Sequence, residues 1–299
     1  MSAAHTMPTL RGNLRQQEPL SQHTSWRVGG PAEHFYEPAD VDDLAVYLKS
    51  LPPEEAVMCM GLGSNLLVRD GGVRGSVICV SGRLNGLSLL DEHTVRAEAG
   101  VASAKLARYC VRNGLAGAEF LAGIPGTVGG ALAMNAGAFG GETWPIVRAV
   151  ETLDRDGCLH LRSPQEYVIG YRSVRGPQNE WFVAGHFHLS ANTSGDGKAR
   201  IKSLLAQRGA TQPTQLPNAG SVFRNPPGDY AARLIEACGL KGICEGQACV
   251  STLHANFIVN QGNATAAQIE RLIARMQTQV RAQHGVELVP EVRVMGESA

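Results

Sequence analysis

A chain of 299 residues is long enough for about two domains of roughly 150 residues each and for cores that bury most of its apolar surface. Its 27 Lys and Arg balance 27 Asp and Glu, so no basic excess marks a nucleic-acid or anionic-membrane binder. A content of 43% hydrophobic and 18% charged residues excludes a mainly disordered chain.

Glycine is the outlier, at 35 of 299 residues against a norm of roughly 7%. There is no collagen-like period, so the excess is expected in tight turns and close backbone approaches. Residues 1–17 show no apolar signal-peptide core. The seven cysteines (Cys59, Cys79, Cys110, Cys158, Cys238, Cys244 and Cys249) are odd in number and lack CxxC spacing. Together these features predict a cytoplasmic protein with reduced thiols.

In chain order, Val41, Leu44, Leu48 and Leu51 recur at helical spacing until Pro52-Pro53. Short strands are expected at Ala56–Met60, Ser76–Ser81 and Thr94–Ala99, and a helix over Ser103–Asn113 with Gly114 just past its end. Phe120–Gly141 is uncharged for 22 positions, long enough to mimic a membrane span. Seven glycines, Pro125 and Asn135 make it a loop-and-turn segment instead. Asp156-Gly157 reads as the turn of a hairpin between Ile146–Leu153 and Cys158–Arg162. A further strand covers Trp181–Leu189. The polar run Ser190–Lys198 is the expected domain boundary, dividing the chain into 1–198 and 199–299. Beyond it come a polar helix over Arg200–Arg208, a helix with Asp229 as N-cap and Gly239 past its end, and a strand at Asn256–Asn260. The last helix has an apolar stripe of Ile269, Leu272, Ile273, Met276 and Val280 and is stopped by Gly285. A final strand runs over about 287–295, with Pro290 placing it at an edge or bend.

Five constellations could serve chemistry. Gly61-Leu62-Gly63-Ser64-Asn65 follows a strand and could converge its N–H groups on an anion, although it is neither a Walker A loop nor a dinucleotide fingerprint. Alone it reads first as an ordinary strand–turn–strand. Gly123-Ile124-Pro125-Gly126 with Gly129-Gly130 fixes an unusual backbone path, suited either to a ligand lying on main chain or to a sharp core reversal. Arg172, after Gly170-Tyr171, could capture a carboxylate or phosphate, but a lone arginine is more often a solvated surface residue. Ser221, in Gly220-Ser221-Val222-Phe223-Arg224-Asn225-Pro226, could donate a proton; no G-x-S-x-G elbow marks a hydrolase nucleophile. Glu291 could be catalytic or an exposed strand carboxylate. Neither Cys238/Cys244/Cys249/His254 nor the pair His186 and His188 has the make-up of a metal site. The cysteines read as buried and unpaired.

One at a time these motifs are weak; their order is specific. Thr24–Gly30, Gly61–Gly72, Glu119–Gly130, Tyr171-Arg172, Gly220–Pro226, Val250–Asn260 and Glu291–Arg293 together resemble the UDP-N-acetylenolpyruvoylglucosamine reductase family over about residues 20–296. The resemblance implies an α+β flavoprotein: a vanillyl-alcohol-oxidase/PCMH-like FAD-binding fold (PCMH core about 20–190) plus a smaller C-terminal α/β substrate domain. The last strand would return to the interface between them.

In that family NADPH reduces FAD, the enolpyruvyl UDP-sugar replaces NADP, and hydride passes from flavin N5 to the enol ether, giving UDP-N-acetylmuramate for peptidoglycan. FAD-holding positions fall on Gly61, Gly63, Ser64, Asn65, Leu66, Gly123, Ile124, Pro125, Gly126, Gly129, Gly130 and Asn135. Asn65 stands where some flavoproteins of the wider group attach FAD to a histidine, so FAD is expected to be non-covalent. The family's catalytic trio falls on Arg172, Ser221 and Glu291, which would converge near the flavin. Hydride addition at C3 leaves negative charge at C2 and on the carboxylate. Arg172 would stabilise it, Glu291 would help through a proton or hydrogen bond, and Ser221 would protonate C2. Tyr171, Arg224, Asn225 and Lys241 are candidates for substrate binding. The implied partners are the UDP-sugar and NADPH, with no nucleic acid, no membrane insertion and no metal, in a monomer.

Two departures stand out. Ser173 follows Arg172 directly and Val174 occupies the position where the family usually has serine. The chain also lacks the long tyrosine-bearing loop of one branch, so it looks like the shorter branch. The rival readings are another FAD oxidase of alcohols or sugars, which would not need Ser221, and a non-catalytic flavin or nucleotide binder.

Overall fold

The computed structural model describes residues 9–299; residues 1–8, part of the stretch read for a signal peptide, lie outside them. The elements in chain order begin with β1 (Asn13–Pro19), β2 (Pro31–Glu37), α1 (Val41–Ser50), β3 (Val57–Met60), β4 (Leu66–Val68) and β5 (Val73–Cys79). They continue with β6 (Leu87–Leu89), β7 (Thr94–Glu98), α2 (Ser103–Arg112), β8 (Leu115–Ala116), α3 (Val128–Met134), β9 (Gly137–Ala138) and β10 (Gly141–Glu142). Then come β11 (Val147–Asp154), β12 (Leu159–Arg162), β13 (Val168–Gly170), β14 (Ser173–Arg175), β15 (Glu180–His188), β16 (Ser190–Ala191) and α4 (Gly197–Thr211). The last are α5 (Ala231–Ala237), β17 (Cys244–Glu245), β18 (Ala248–Val250), β19 (Ile258–Asn260), α6 (Ala266–His284) and β20 (Arg293–Met295). Among the described residues no helix is long and apolar enough to cross a membrane.

The chain divides into two compact units, and both are discontinuous in sequence. Of the described residues, the first comprises 9–16, 34–61 and 75–204; the second, 17–33, 62–74 and 205–299. The break at 204/205 lies inside α4, a few residues past the polar run that the sequence marks as a boundary. Two N-terminal segments go with the C-terminal part, and apolar burial explains this. Trp26, Val28 and Leu67 lie in one core with Phe223, Ile235, Ile258 and the whole stripe of α6. Trp26 is fully buried, and its indole N–H donates to the carbonyl of Ile258 at 2.7 Å.

In the first unit an antiparallel five-stranded sheet has the order β12-β11-β15-β7-β6, and a four-stranded sheet the order β1-β2-β5-β3. The Asp156-Gly157 hairpin forms between β11 and β12 as the sequence predicts, with Gly157 at φ +73° and the Asp154 carboxylate accepting from the N–H groups of Asp156 and Cys158. The uncharged stretch 120–141 is a 3-10 turn, α3 and the β9–β10 hairpin. His186 and His188 each have a partner, Glu151 at 2.6 Å and Thr94 at 3.3 Å. Burial pushes the Glu151 carboxyl up, but hydrogen bonds from His186 and Arg96 outweigh it and hold the group at about 2.

In the second unit β17-β18-β19 form a small antiparallel sheet and β20 runs parallel to β4. Helix α6 has a Thr265/Gln268 capping box, and Gly285 terminates it at φ +67°. Three expectations are corrected here. Cys244 and Cys249 are joined by a disulfide rather than reduced. The Glu245–Ala248 turn makes them direct cross-strand partners with Cα atoms 4.1 Å apart, a narrow antiparallel pair that brings side chains together. The α5 N-cap is Tyr230, not Asp229; the first helical N–H, of Ala231, goes to the Asn225 side chain at 3.1 Å. The last strand spans only Arg293–Met295, because Pro290 lacks an N–H and itself bridges Phe223 instead.

Candidate active site

Within the first unit, β13 and β14 form a hairpin in which Gly170 faces Ser173, so Tyr171 and Arg172 are its two-residue turn. Arg172 adopts φ +52°, a left-handed conformation costing a non-glycine residue roughly 1–2 kcal/mol. Its surroundings hold it there. Nη2 donates to the carbonyl of Gly137 at 2.8 Å, Nη1 donates to that of Asn135 at 3.3 Å, and the guanidinium lies 5.1 Å from the Tyr171 ring centroid. A guanidinium fixed from behind by carbonyl groups is a preset positive charge, the arrangement that stabilises developing carboxylate or enolate charge. Ser173, directly after the arginine, opens β14, and Val174 pairs with Ile169.

Asn135 ends α3 in the left-handed region, at φ +44°, and is 1% exposed. Its side-chain amide donates to Glu142 Oε2 at 3.0 Å and to the carbonyl of Gly170 at 3.2 Å, while its Oδ1 accepts from the N–H of Trp144.

The second glycine loop is shaped by close packing. Thr127 caps α3, its Oγ1 accepting from Gly130, and Val128 and Gly129 donate to the carbonyls of Val101 and Ala99. A Cβ on Gly123 would lie 2.3 Å from the Phe139 ring, and one on Gly61 would lie 2.2 Å from Thr127 Oγ1. Pro125 and Gly130 are exposed, while Ile124, Gly126 and Gly129 are half-buried. Beside this loop, Ser103 donates its N–H to the carbonyl of Gly126. Its own hydroxyl is fully buried and has no hydrogen-bond partner.

In the second unit, Gly63 sits at φ +60°, and a Cβ there would lie 2.3 Å from the carbonyl oxygen of His23, which leaves no room for a side chain. Its own carbonyl accepts from Ser25 in the Thr24–Gly30 motif. Ser64, Asn65 and Leu66 are half-buried. Asn65 reaches the far end of the chain: its Nδ2 donates to the carbonyl of Glu291 at 3.1 Å, and its own carbonyl accepts from Arg293 at 2.9 Å.

Ser221 and Glu291 lie on neighbouring segments of that unit. The N–H of Glu291 donates to the carbonyl of Val222, next to Ser221, at 2.7 Å, and Arg224 donates to Val289 at 2.9 Å. On the other side the side chain of Asn256, 3% exposed, grips both polar groups of Phe223: Oδ1 accepts its N–H at 3.0 Å and Nδ2 donates to its carbonyl at 2.8 Å. Ser221, Arg224 and Glu291 are half-buried, and Asn225 is exposed. Lys241 is paired with Glu236 at 2.7 Å. Burial, then the nearby Lys241 charge, hold the imidazole of His254 below its usual range. Among the described residues no group of three or more His, Cys, Asp or Glu could hold a metal ion.

Asn256 and Ser103 escaped sequence reasoning. Asn256 sits in a matched motif, but only the fold shows what it grips; Ser103 carried no signal.

Residues 212–295 match the family model described as UDP-N-acetylenolpyruvoylglucosamine reductase, C-terminal domain, and residues 32–161 match an FAD binding domain model. The chain is 58% identical over 297 residues to UDP-N-acetylenolpyruvoylglucosamine reductase of Methylococcus capsulatus, covering 99% of this chain and 98% of that one. It is 52% identical over 299 residues to that of Legionella pneumophila subsp. pneumophila, covering 100% and 97%. The crystal structure of UDP-N-acetylenolpyruvylglucosamine reductase from Thermus caldophilus superposes with a TM-score of 0.82 at 33% identity, covering 96% of this chain and 100% of that one. The chain belongs to the UDP-N-acetylenolpyruvoylglucosamine reductase family.

Proposed function

We infer that this chain catalyses the NADPH-dependent reduction of UDP-N-acetylglucosamine enolpyruvate to UDP-N-acetylmuramate, a step of peptidoglycan biosynthesis, with FAD as its cofactor. The observation that carries this reading is the 58% identity to a reductase of that name along practically the whole of both chains.

The residues present fit FAD. The two glycine loops bring main chain where side chains would block it. The groups proposed to hold it are Gly61, Gly63, Ser64, Asn65 and Leu66 in one loop and Gly123, Ile124, Pro125, Gly126, Gly129 and Gly130 in the other, with Asn135 beyond it. No histidine stands in the first loop, which supports non-covalent attachment. Bound FAD supplies a two-electron carrier between NADPH and substrate.

The chain's own groups are proposed to act as follows. Arg172 receives the negative charge that develops on the enolpyruvyl carboxylate when C3 is reduced, and the carbonyl groups behind it keep its fork oriented throughout. Ser221 protonates C2; a hydroxyl is a weak acid, but a carbanion-like carbon is a strong base, so the transfer runs downhill. Glu291 acts protonated or through a hydrogen bond, since a bare carboxylate would repel the enolate. Tyr171, half exposed beside Arg172, and Arg224, Asn225 and Lys241 are proposed to bind the sugar nucleotide. Asn225 already caps α5, and Lys241 would exchange Glu236 for a phosphate.

The test is anaerobic. One equivalent of NADPH is added to the purified flavoprotein, and then UDP-N-acetylglucosamine enolpyruvate. Rapid return of the oxidised flavin spectrum is the expected result. A flavin that stays reduced until air is admitted would favour an oxidase, and a protein that neither carries nor takes up FAD would overturn the reading.

A further inference from the structure

We propose that Asn135 is a positioning residue for Arg172, and so for transfer to the enolpyruvyl group; the inference rests on the reading of Arg172 as the charge-stabilising residue. Arg172 sits at the tip of a two-residue turn, in a left-handed conformation. Both features would leave an unsupported guanidinium free to swing. Asn135 addresses both. Its backbone carbonyl accepts directly from Nη1, and its side-chain Nδ2 donates to the carbonyl of Gly170, two residues before the arginine. The same amide donates to Glu142, and its Oδ1 accepts from Trp144. One buried side chain therefore ties together the end of α3, the β9–β10 hairpin and the arginine turn. Gly137, whose carbonyl accepts from Nη2, pairs with Glu142 across that hairpin. Both carbonyls that hold the guanidinium thus belong to a scaffold organised by Asn135. Its left-handed φ of +44° is part of the device, because it turns the carbonyl toward the arginine.

The variants separate these contributions. Asn135→Gly keeps the left-handed backbone and the carbonyl and removes only the amide hub. Asn135→Asp keeps the shape but presents a carboxylate to Glu142 and to the carbonyl of Gly170. In anaerobic stopped-flow, either change is expected to slow reoxidation by the enolpyruvyl substrate on the order of 10²-fold, the scale of a misplacement near 1 Å, and well beyond any slowing of flavin reduction by NADPH. Added to Arg172→Ala, Asn135→Gly is expected to cost nothing further, since the two act as one unit. Unchanged reoxidation in both Asn135 variants would overturn the proposal, as would equal loss of both half-reactions or multiplying losses in the double variant. If Arg172→Ala itself leaves reoxidation intact, the reading of Arg172 fails first, and that outcome is distinct from the others. Where Asn135→Gly does not accumulate as a flavoprotein, Asn135→Asp serves the same comparison.

Discussion

The side-chain amide of Asn65 donates to the backbone carbonyl of Glu291, 226 positions away in sequence. Immediately beyond each residue, β4 and β20 run side by side in parallel. The first glycine loop and the segment bearing the carboxylate are therefore one piece of structure. Since Glu291 also donates its N–H to Val222, the serine segment is attached to the same piece.

Ser221→Ala removes only the hydroxyl, because the backbone bonds of residues 222–224 hold the segment. Flavin reduction by NADPH should persist and reoxidation by substrate should slow by roughly 10²–10⁴-fold, the usual worth of a positioned acid. Stopped-flow absorbance of the two half-reactions checks this, and equal slowing of both would remove Ser221 from the proton-transfer role.

Arg172→Lys keeps the charge but cannot reach the carbonyls of Asn135 and Gly137 and a ligand with one planar fork. Reoxidation is expected to fall about 10²-fold, close to the loss of one preorganised donor. Recovery of near-normal rates in the lysine enzyme would show that charge alone, without the fork, suffices.

Gly61→Ala would put a methyl group 2.2 Å from the Thr127 hydroxyl that caps α3. Overpacking of this kind costs about 1–3 kcal/mol. The variant should melt earlier and retain less FAD, read as the ratio of flavin to protein absorbance. Full flavin content with an unchanged Tm would mean that Thr127 moves aside at no cost.

The imidazole of His254 is depressed chiefly by burial and then by Lys241. In the window from about 6.5 down to the lower folded value, the unfolded chain binds more protons than the folded one, so stability is present above that window and lost as pH falls through it. His254→Gln should flatten the decline in urea midpoint between pH 7.5 and 5.5. An unaltered slope would assign the decline to other groups.

Much of the fold could be read from sequence because local signals agree with it. The α6 stripe, its Gly285 stop and the Asp156-Gly157 hairpin are each set by residues close in the chain. What the sequence hid was long-range. Nothing local tells that Trp26 is buried against Ile258, or that Leu67 belongs with the C-terminal core. The α5 cap was misjudged because Asp229 has the right chemistry at nearly the right place, while the donor is met by Asn225, six residues away from Ala231. The cross-strand cysteines escape for the opposite reason: Cys244 and Cys249 are the second pair out from the two-residue turn Gly246-Gln247, a local signal that the odd cysteine count overshadows. For the site, the motifs named candidate residues; that Asn65 and Asn256 spend their amides on backbone groups, and Asn135 on Gly170 and Glu142, depends on geometry no spacing encodes.

The interleaving of the two units has a consequence for synthesis. Trp26 and Leu67 leave the ribosome early, yet the carbonyl that Trp26 requires belongs to Ile258 and the strand that β4 requires begins at Arg293. For most of translation these apolar groups have no native partner. Such distant pairings make folding slow, and they leave hydrophobic surface open to chaperones or to aggregation while the chain is incomplete.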